Sequence, residues 1–134
     1  MSWEVNGTMT MIACEWELDV ERGPNWLLVK VGDPLGKPRD MPTLADTLRS
    51  LMEEHFTYRL VLELDEIDLL GSELIGELLA LGKWIRTRQG VMRLCGLSPH
   101  NGEILRRCWL DSFFPAYRDR LEAVLGRHRP SQPR

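Results

Sequence analysis

Residues 60–97 constrain the fold more than any other stretch. Leu60-Val61-Leu62-Glu63-Leu64 reads as a buried strand, and Val91 to Leu97 reads as a second one. Between them Leu74, Leu78, Leu81 and Ile85 recur at helical spacing, widened by Ile75 and Leu79, which predicts a long amphipathic helix. A strand, a helix and a strand in that order naturally return the chain to lay a parallel neighbour. The expected class is therefore α/β, with a mixed sheet of four or five strands and helices packed mainly on one face.

The flanking segments extend this pattern. From Glu15 to Glu21, Trp16, Leu18 and Val20 alternate with Glu15, Glu17, Asp19 and Glu21, as a half-exposed strand requires. Arg22-Gly23-Pro24-Asn25 breaks it, and Trp26 to Val31 follows as a hairpin partner. The loop Gly32 to Pro38 is too rich in glycine and proline for a regular element. After Pro42 and Thr43, the positions Leu44, Leu48, Leu51 and Met52 mark a helix up to about Phe56. Ser98-Pro99 supplies an N-cap and a first-turn proline for a helix carrying Ile104, Leu105 and Cys108. A last helix is expected after Pro115, with Tyr117, Leu121, Val124 and Leu125 turned inward. Thr8 to Ile12 either extends the first strand or forms a flexible arm.

A chain of 134 residues suffices for one domain with a proper core and is too short for two. No apolar run spans a membrane and no export signal opens the sequence, so a cytoplasmic location is expected. Three cysteines, Cys14, Cys95 and Cys108, fit reduced thiols better than a disulfide framework or a zinc site. Cys95 and Cys108 read as small core residues. A formal charge of −3 gives no electrostatic reason to bind nucleic acid.

The signatures of catalysis and cofactor binding are absent. There is no dinucleotide or phosphate-binding glycine loop, no Cys-x-x-Cys, no His-Glu-x-x-His and no Gly-x-Ser-x-Gly. No cofactor, metal or enzymatic activity is expected. His55 reads as a residue near a helix C-terminus, His100 as first-turn, His128 as tail. Glu63 alternates with apolar neighbours in a strand, whereas Asp65, Glu66 and Asp68 read as a solvated loop face rather than a divalent-metal site.

Ser72 is the residue that asks for a role. It stands where a loop turns into the long helix, and unpaired N–H groups and the helix dipole suit that position to negative charge. It reads either as a helix N-cap or as a modifiable hydroxyl.

Val61-Leu62-Glu63-Leu64 through Ile67, Gly71-Ser72, Gly76-Glu77-Leu78-Leu79, Arg93-Leu94-Cys95-Gly96-Leu97-Ser98-Pro99 and Leu110-Asp111-Ser112-Phe113-Phe114 together resemble the STAS domain of anti-sigma factor antagonists. Gly32 falls where that family commonly has a glycine. The resemblance covers residues 15–125, leaving 1–14 as an N-terminal arm or strand extension and 126–134 as a flexible tail. It implies a non-enzymatic module that regulates transcription by partner switching with an anti-sigma factor kinase. Ser72 is then the candidate phosphoacceptor, and Gly71, Ser72, Glu73, Ile75 and Gly76, with Asp65 and Asp68, are the candidate partner surface. Where the family reads Asp-Ser, a small residue and then glycine, this chain reads Gly71-Ser72-Glu73-Leu74. Gly71 lacks the usual carboxylate and Leu74 replaces a glycine that allows close approach. A phosphorylation-independent STAS scaffold or sensor domain in a signalling assembly is the alternative, and a small-molecule-binding α/β protein the third. The partner is an anti-sigma factor, a serine-kinase-like protein or another signalling protein, and the oligomeric state is open. Trp84 is expected in core or boundary packing. Trp109, where the family often has a smaller residue, is either packed or an anchor for a partner.

Overall fold

The computed structural model describes residues 8–13, 16–32 and 43–127. Strands β1 (Thr8–Ala13), β2 (Trp16–Gly23) and β3 (Trp26–Gly32) are followed by α1 (Leu44–Glu54) and β4 (Arg59–Glu66). Then come α2 (Ser72–Thr87), β5 (Val91–Cys95), α3 (Pro99–Arg107), β6 (Ala116–Tyr117) and α4 (Arg120–Leu125). The strands lie side by side in the order β1-β2-β3-β4-β5-β6. The first three are antiparallel to one another, and β3 through β6 run parallel. The mixed sheet is as the sequence leads one to expect, with the two-residue β6 added at one edge. The stretch 8–13 is a strand in its own right. Residues 1–7, 14–15, 33–42 and 128–134 lie outside the described residues, and with them the first half of the expected N-terminal arm, Cys14, the expected loop after Gly32 and the tail from His128 onward.

Local chemistry accounts for these elements. Pro24 and Asn25, the latter at φ 70, make the two-residue turn that pairs Gly23 with Trp26. Thr43 caps α1, its hydroxyl accepting the Asp46 N–H at 3.1 Å, and Ser98 caps α3 by accepting the Asn101 N–H at 3.1 Å. Helices α1, α2 and α3 end alike. Phe56, Gln89 and Trp109 take left-handed φ values of 51, 57 and 61°. Their amides and those of the following residues close back on Glu53 and Met52, Arg86 and Ile85, and Arg106 and Leu105. This is the Schellman arrangement, usually served by glycine.

The main core forms where α1, α2 and α3 cover one face of the sheet. Leu18, Val20, Leu27, Val29, Leu60, Leu62 and Leu64 meet Leu48, Leu51, Leu74, Leu78, Leu81, Ile85 and Leu105 there. Gly82 is required by that packing, because a Cβ would lie 2.9 Å from Phe113 and 3.1 Å from Phe114. Trp84 is half-buried against this core and tilted on Tyr58 at 5.9 Å, so the packing expected of it holds.

A smaller cluster of Trp26, Val61, Cys95 and Ala123 lies on the opposite face under α4. Arg120 ties that helix down through Glu63 (3.0 Å) and Glu21 (2.6 Å), and Arg93 donates to the Ala123 carbonyl at 2.8 Å.

Four expectations need correction. The last helix begins at Arg120, and Tyr117 belongs to β6. Its buried residues are Glu122 and Ala123, while Leu121 and Leu125 are about half exposed, because a helix this short turns only one narrow face to the sheet. Cys95 is buried but Cys108 is exposed, since it is the C-cap of α3. Asp65 and Glu66 are not loop residues, for β4 continues through both.

Candidate functional site

The site lies at the end of the sheet where the parallel strands finish and the helices begin. β4 ends at Glu66, and after five intervening residues α2 starts at Ser72. Within that connection Ile67 and Leu70 are buried and Asp68 and Leu69 are exposed. The loop is held from the side by Asn101 in the first turn of α3, which is fully buried. Its Nδ2 donates to the Ile67 carbonyl and its Oδ1 accepts the Leu70 N–H, both at 2.9 Å. A buried amide bonded at both ends fixes backbone position, its hydrogen bonds offsetting the cost of desolvation. Ser98 completes the chain of contacts by capping the helix that carries Asn101.

Ser72 is exposed at the first position of α2. The N-cap reading of Ser72 is incorrect. The N-cap is Gly71, extended at φ −79° and ψ 170°, and with no side chain it makes no cap hydrogen bond. The first helical bond runs from the Ile75 amide to the Gly71 carbonyl at 3.0 Å, so the amides before Ile75 are left without helical acceptors. The end of α2 therefore keeps its partial positive charge facing outward, with Glu73 in the first turn.

Gly71, Ser72, Glu73 and Gly76 share this end of the helix with Asp68 of the clamped loop, and Ile75 is half-buried against the core. A Cβ at Gly71 or Gly76 would meet nothing within 4 Å, so a partner can come close to the backbone at both. Leu74 does not obstruct that approach as its replacement of glycine suggests. It is 1 % exposed and belongs to the core under the helix. Glu77 turns away to accept the Ala45 N–H at 3.0 Å, joining α2 to the N-terminus of α1.

Asp65 belongs elsewhere. It projects from the sheet face opposite α1 and α2, where Lys30 lies 3.4 Å from Asp65, 3.6 Å from Glu66 and 3.9 Å from Glu63. Burial works against the Lys30 ammonium, but these carboxylates outweigh it and hold its pKa above the usual lysine value. Among the described residues no cluster of histidine, cysteine and acidic side chains could hold a metal ion. His55 is the C-cap of α1. Burial, and then Arg22, push its pKa down, opposite to what a cation at a helix C-terminus would give. Trp109 is 85 % exposed.

Sequence reasoning missed Asn101. Its signal was there: a polar residue four positions before Leu105, on the face that a three-residue-capped helix turns inward.

The architecture has counterparts among solved structures. An anti-sigma factor antagonist from Mycobacterium paratuberculosis superposes with a TM-score of 0.66 at 18 % identity, covering 93 % of this chain and 97 % of that one. An anti-sigma-factor antagonist (STAS) domain protein from Planctomyces limnophilus gives 0.58 at 21 % identity, covering 81 % and 96 %. No family model matches the sequence, and no curated protein matches it. The chain has the fold of the STAS-type anti-sigma factor antagonists. Among the described residues no helix is long and apolar enough to cross a membrane.

Proposed function

We propose that this chain is a non-enzymatic protein-interaction module of the anti-sigma antagonist kind, working in the cytoplasm by partner switching with an anti-sigma factor or a serine-kinase-like protein. The unit that carries the function is residues 15–125, with β1 laid along its edge. The observation behind this reading is the exposed Ser72 hydroxyl at the uncapped start of α2, on a loop clamped by Asn101. A hydroxyl that closes no cap is available to a partner or a kinase without cost to the helix. The contact surface comprises Gly71, Ser72, Glu73, Ile75 and Gly76 with Asp68. Asp65 contributes to it only through the course of the backbone.

A phosphate on Ser72 adds about −1.5 to −2 charges beside Glu73. The free protein tolerates it, because the open amides at the start of α2 favour an anion. A bound partner fitted to the hydroxyl does not, since unmatched like charges brought together across an interface cost several kcal/mol, about tenfold in affinity for each 1.4 kcal/mol. The decisive experiment is a pull-down of partners with the wild-type chain, repeated with Ser72→Ala and Ser72→Asp. Loss of binding in Ser72→Asp alone, at equal stability, supports switching.

Equal binding by all three variants leaves the second reading, a phosphorylation-independent scaffold. The observation favouring that alternative is Glu73, which already brings a negative charge to the first turn, with Gly71 where the family carries a carboxylate.

A further inference from the structure

Among the described residues, unpaired charges of opposite sign stand at the two ends of the sheet, and each end exposes an apolar side chain. At the end where the parallel strands begin, a cleft of about 520 Å³ opens between the β2–β3 turn and the segment joining α1 to β4. It is lined by Arg22, Pro24, Asn25, Phe56, Tyr58 and Arg59, among others, and among the described residues no carboxylate lines it. Neither Arg22 nor Arg59 has an ion-pair partner among the described residues, Arg59 instead lying 4.5 Å over the Trp26 ring. Phe56 is 84 % exposed. At the other end, the connection from β4 to α2 projects Asp68 and Leu69, the latter 61 % exposed, next to Asp65 and Glu66. Asp68 has no ion pair among the described residues, unlike Asp65 and Glu66, which share Lys30.

We infer that the cleft receives the Asp68-Leu69 tip of a second copy of this chain. Leu69 then packs on Phe56 and Pro24, and Asp68 meets Arg22 and Arg59. The charges of tip and cleft are complementary, which steers and orients association. Because the tip and the cleft lie at opposite ends of the sheet, the contact is head-to-tail and leaves one tip and one cleft open at the ends of any chain of copies. The occupied tip adjoins Ser72, so self-association and any partner at Ser72 compete. The inference does not depend on what binds Ser72.

The test is sedimentation velocity of the full chain at rising concentration up to about 1 mM, a range that detects contacts of about −4 kcal/mol. The wild type is expected to exceed its monomer mass of 15.5 kDa. Its association should weaken roughly tenfold or more between about 0.05 M and about 0.5 M salt, as screening shortens the reach of the charges. A variant without the cleft charges, Arg22→Gln with Arg59→Gln, and a variant without the tip, Asp68→Asn with Leu69→Ser, should each remain monomeric. Mixed together they should form dimers and nothing larger, one supplying the tip and the other the cleft. Circular dichroism and melting of each variant establish that both remain folded. A monomeric wild type at the highest concentration overturns the inference, as does association of either variant alone or failure of the folded pair to dimerise. Binding of an acidic peptide to the cleft of a wild type that stays monomeric gives the cleft to a different protein and overturns it equally.

Discussion

Asn101 accepts the amide of Leu70 at 2.9 Å from a helix 31 residues further along the chain. The same side chain donates to the Ile67 carbonyl, so one residue of α3 sets the path of the backbone into α2. Asn101→Ala strands a buried amide and a buried carbonyl and should cost about 1–3 kcal/mol. Hydrogen exchange at Leu70 should accelerate more than exchange in the sheet, and equal acceleration everywhere would argue against a local clamp.

The cap of α2 is vacant at Gly71, which offers a gain in stability. Gly71 has the extended backbone of an N-cap, and an added Cβ meets nothing within 4 Å. Gly71→Asp should stabilise the fold by a few tenths of a kcal/mol up to about 1 kcal/mol, read from urea midpoints. Ser72→Ala should leave stability within about 0.5 kcal/mol of wild type, because its hydroxyl makes no cap bond.

Trp109 holds a left-handed backbone with its ring 85 % exposed. Such a conformation costs an L-residue about 1–2 kcal/mol, so Trp109→Gly should raise stability by about 1 kcal/mol after the added freedom of the unfolded glycine is subtracted. A loss of stability on that change, seen by thermal melting, would mean the indole packs in solution.

The thiols should separate by reactivity. Burial, with nearby Glu63, pushes the Cys95 pKa up to about 12, so its thiolate is scarce at neutral pH. Cys108 is exposed. In Cys14→Ser chains, a thiol-reactive chromophore at about pH 8 should label Cys108 at once and Cys95 only as the protein unfolds. The sign for stability follows: the unfolded thiol ionises first, so the contribution of Cys95 is present below its ordinary value and is lost as pH rises towards about 12.

His55 works at the other end of the scale. Its folded pKa lies below the usual histidine value because of burial and Arg22. The neutral ring therefore adds stability above about pH 6.5 that is lost as the pH falls through the lower folded value. His55→Gln should flatten the decline in melting temperature between about pH 7 and about pH 5, and an unchanged decline would assign it to other groups.

Periodicity made the sheet and the large helices legible, since Leu62 and Leu64 must share a face and Leu74, Leu78, Leu81 and Ile85 must share another. The position of Ser72 was legible for the same reason. Its capping role was not, because the choice between Gly71 and Ser72 depends on which residue first takes helical dihedral angles. Alternation also hid the fate of Asp65. In a strand that continues to Glu66, an odd-numbered residue faces away from Leu64 and meets Lys30 of β3, a pairing that only the parallel register reveals. Asn101 escaped notice because its partners are backbone groups over thirty residues away.

The left-handed corners at Phe56, Gln89 and Trp109 separate two duties that a residue usually combines. The hydrogen bonds that close each helix come from main-chain atoms, so the side chain at the corner bears no part of the closure and points into water. Exchanging it alters what this end of the molecule displays while the scaffold stays put, at a strain of about 1 kcal/mol that glycine would avoid. On the side away from Ser72 the fold thus holds three corners whose shape is set by the backbone and whose side chains are left to the surface.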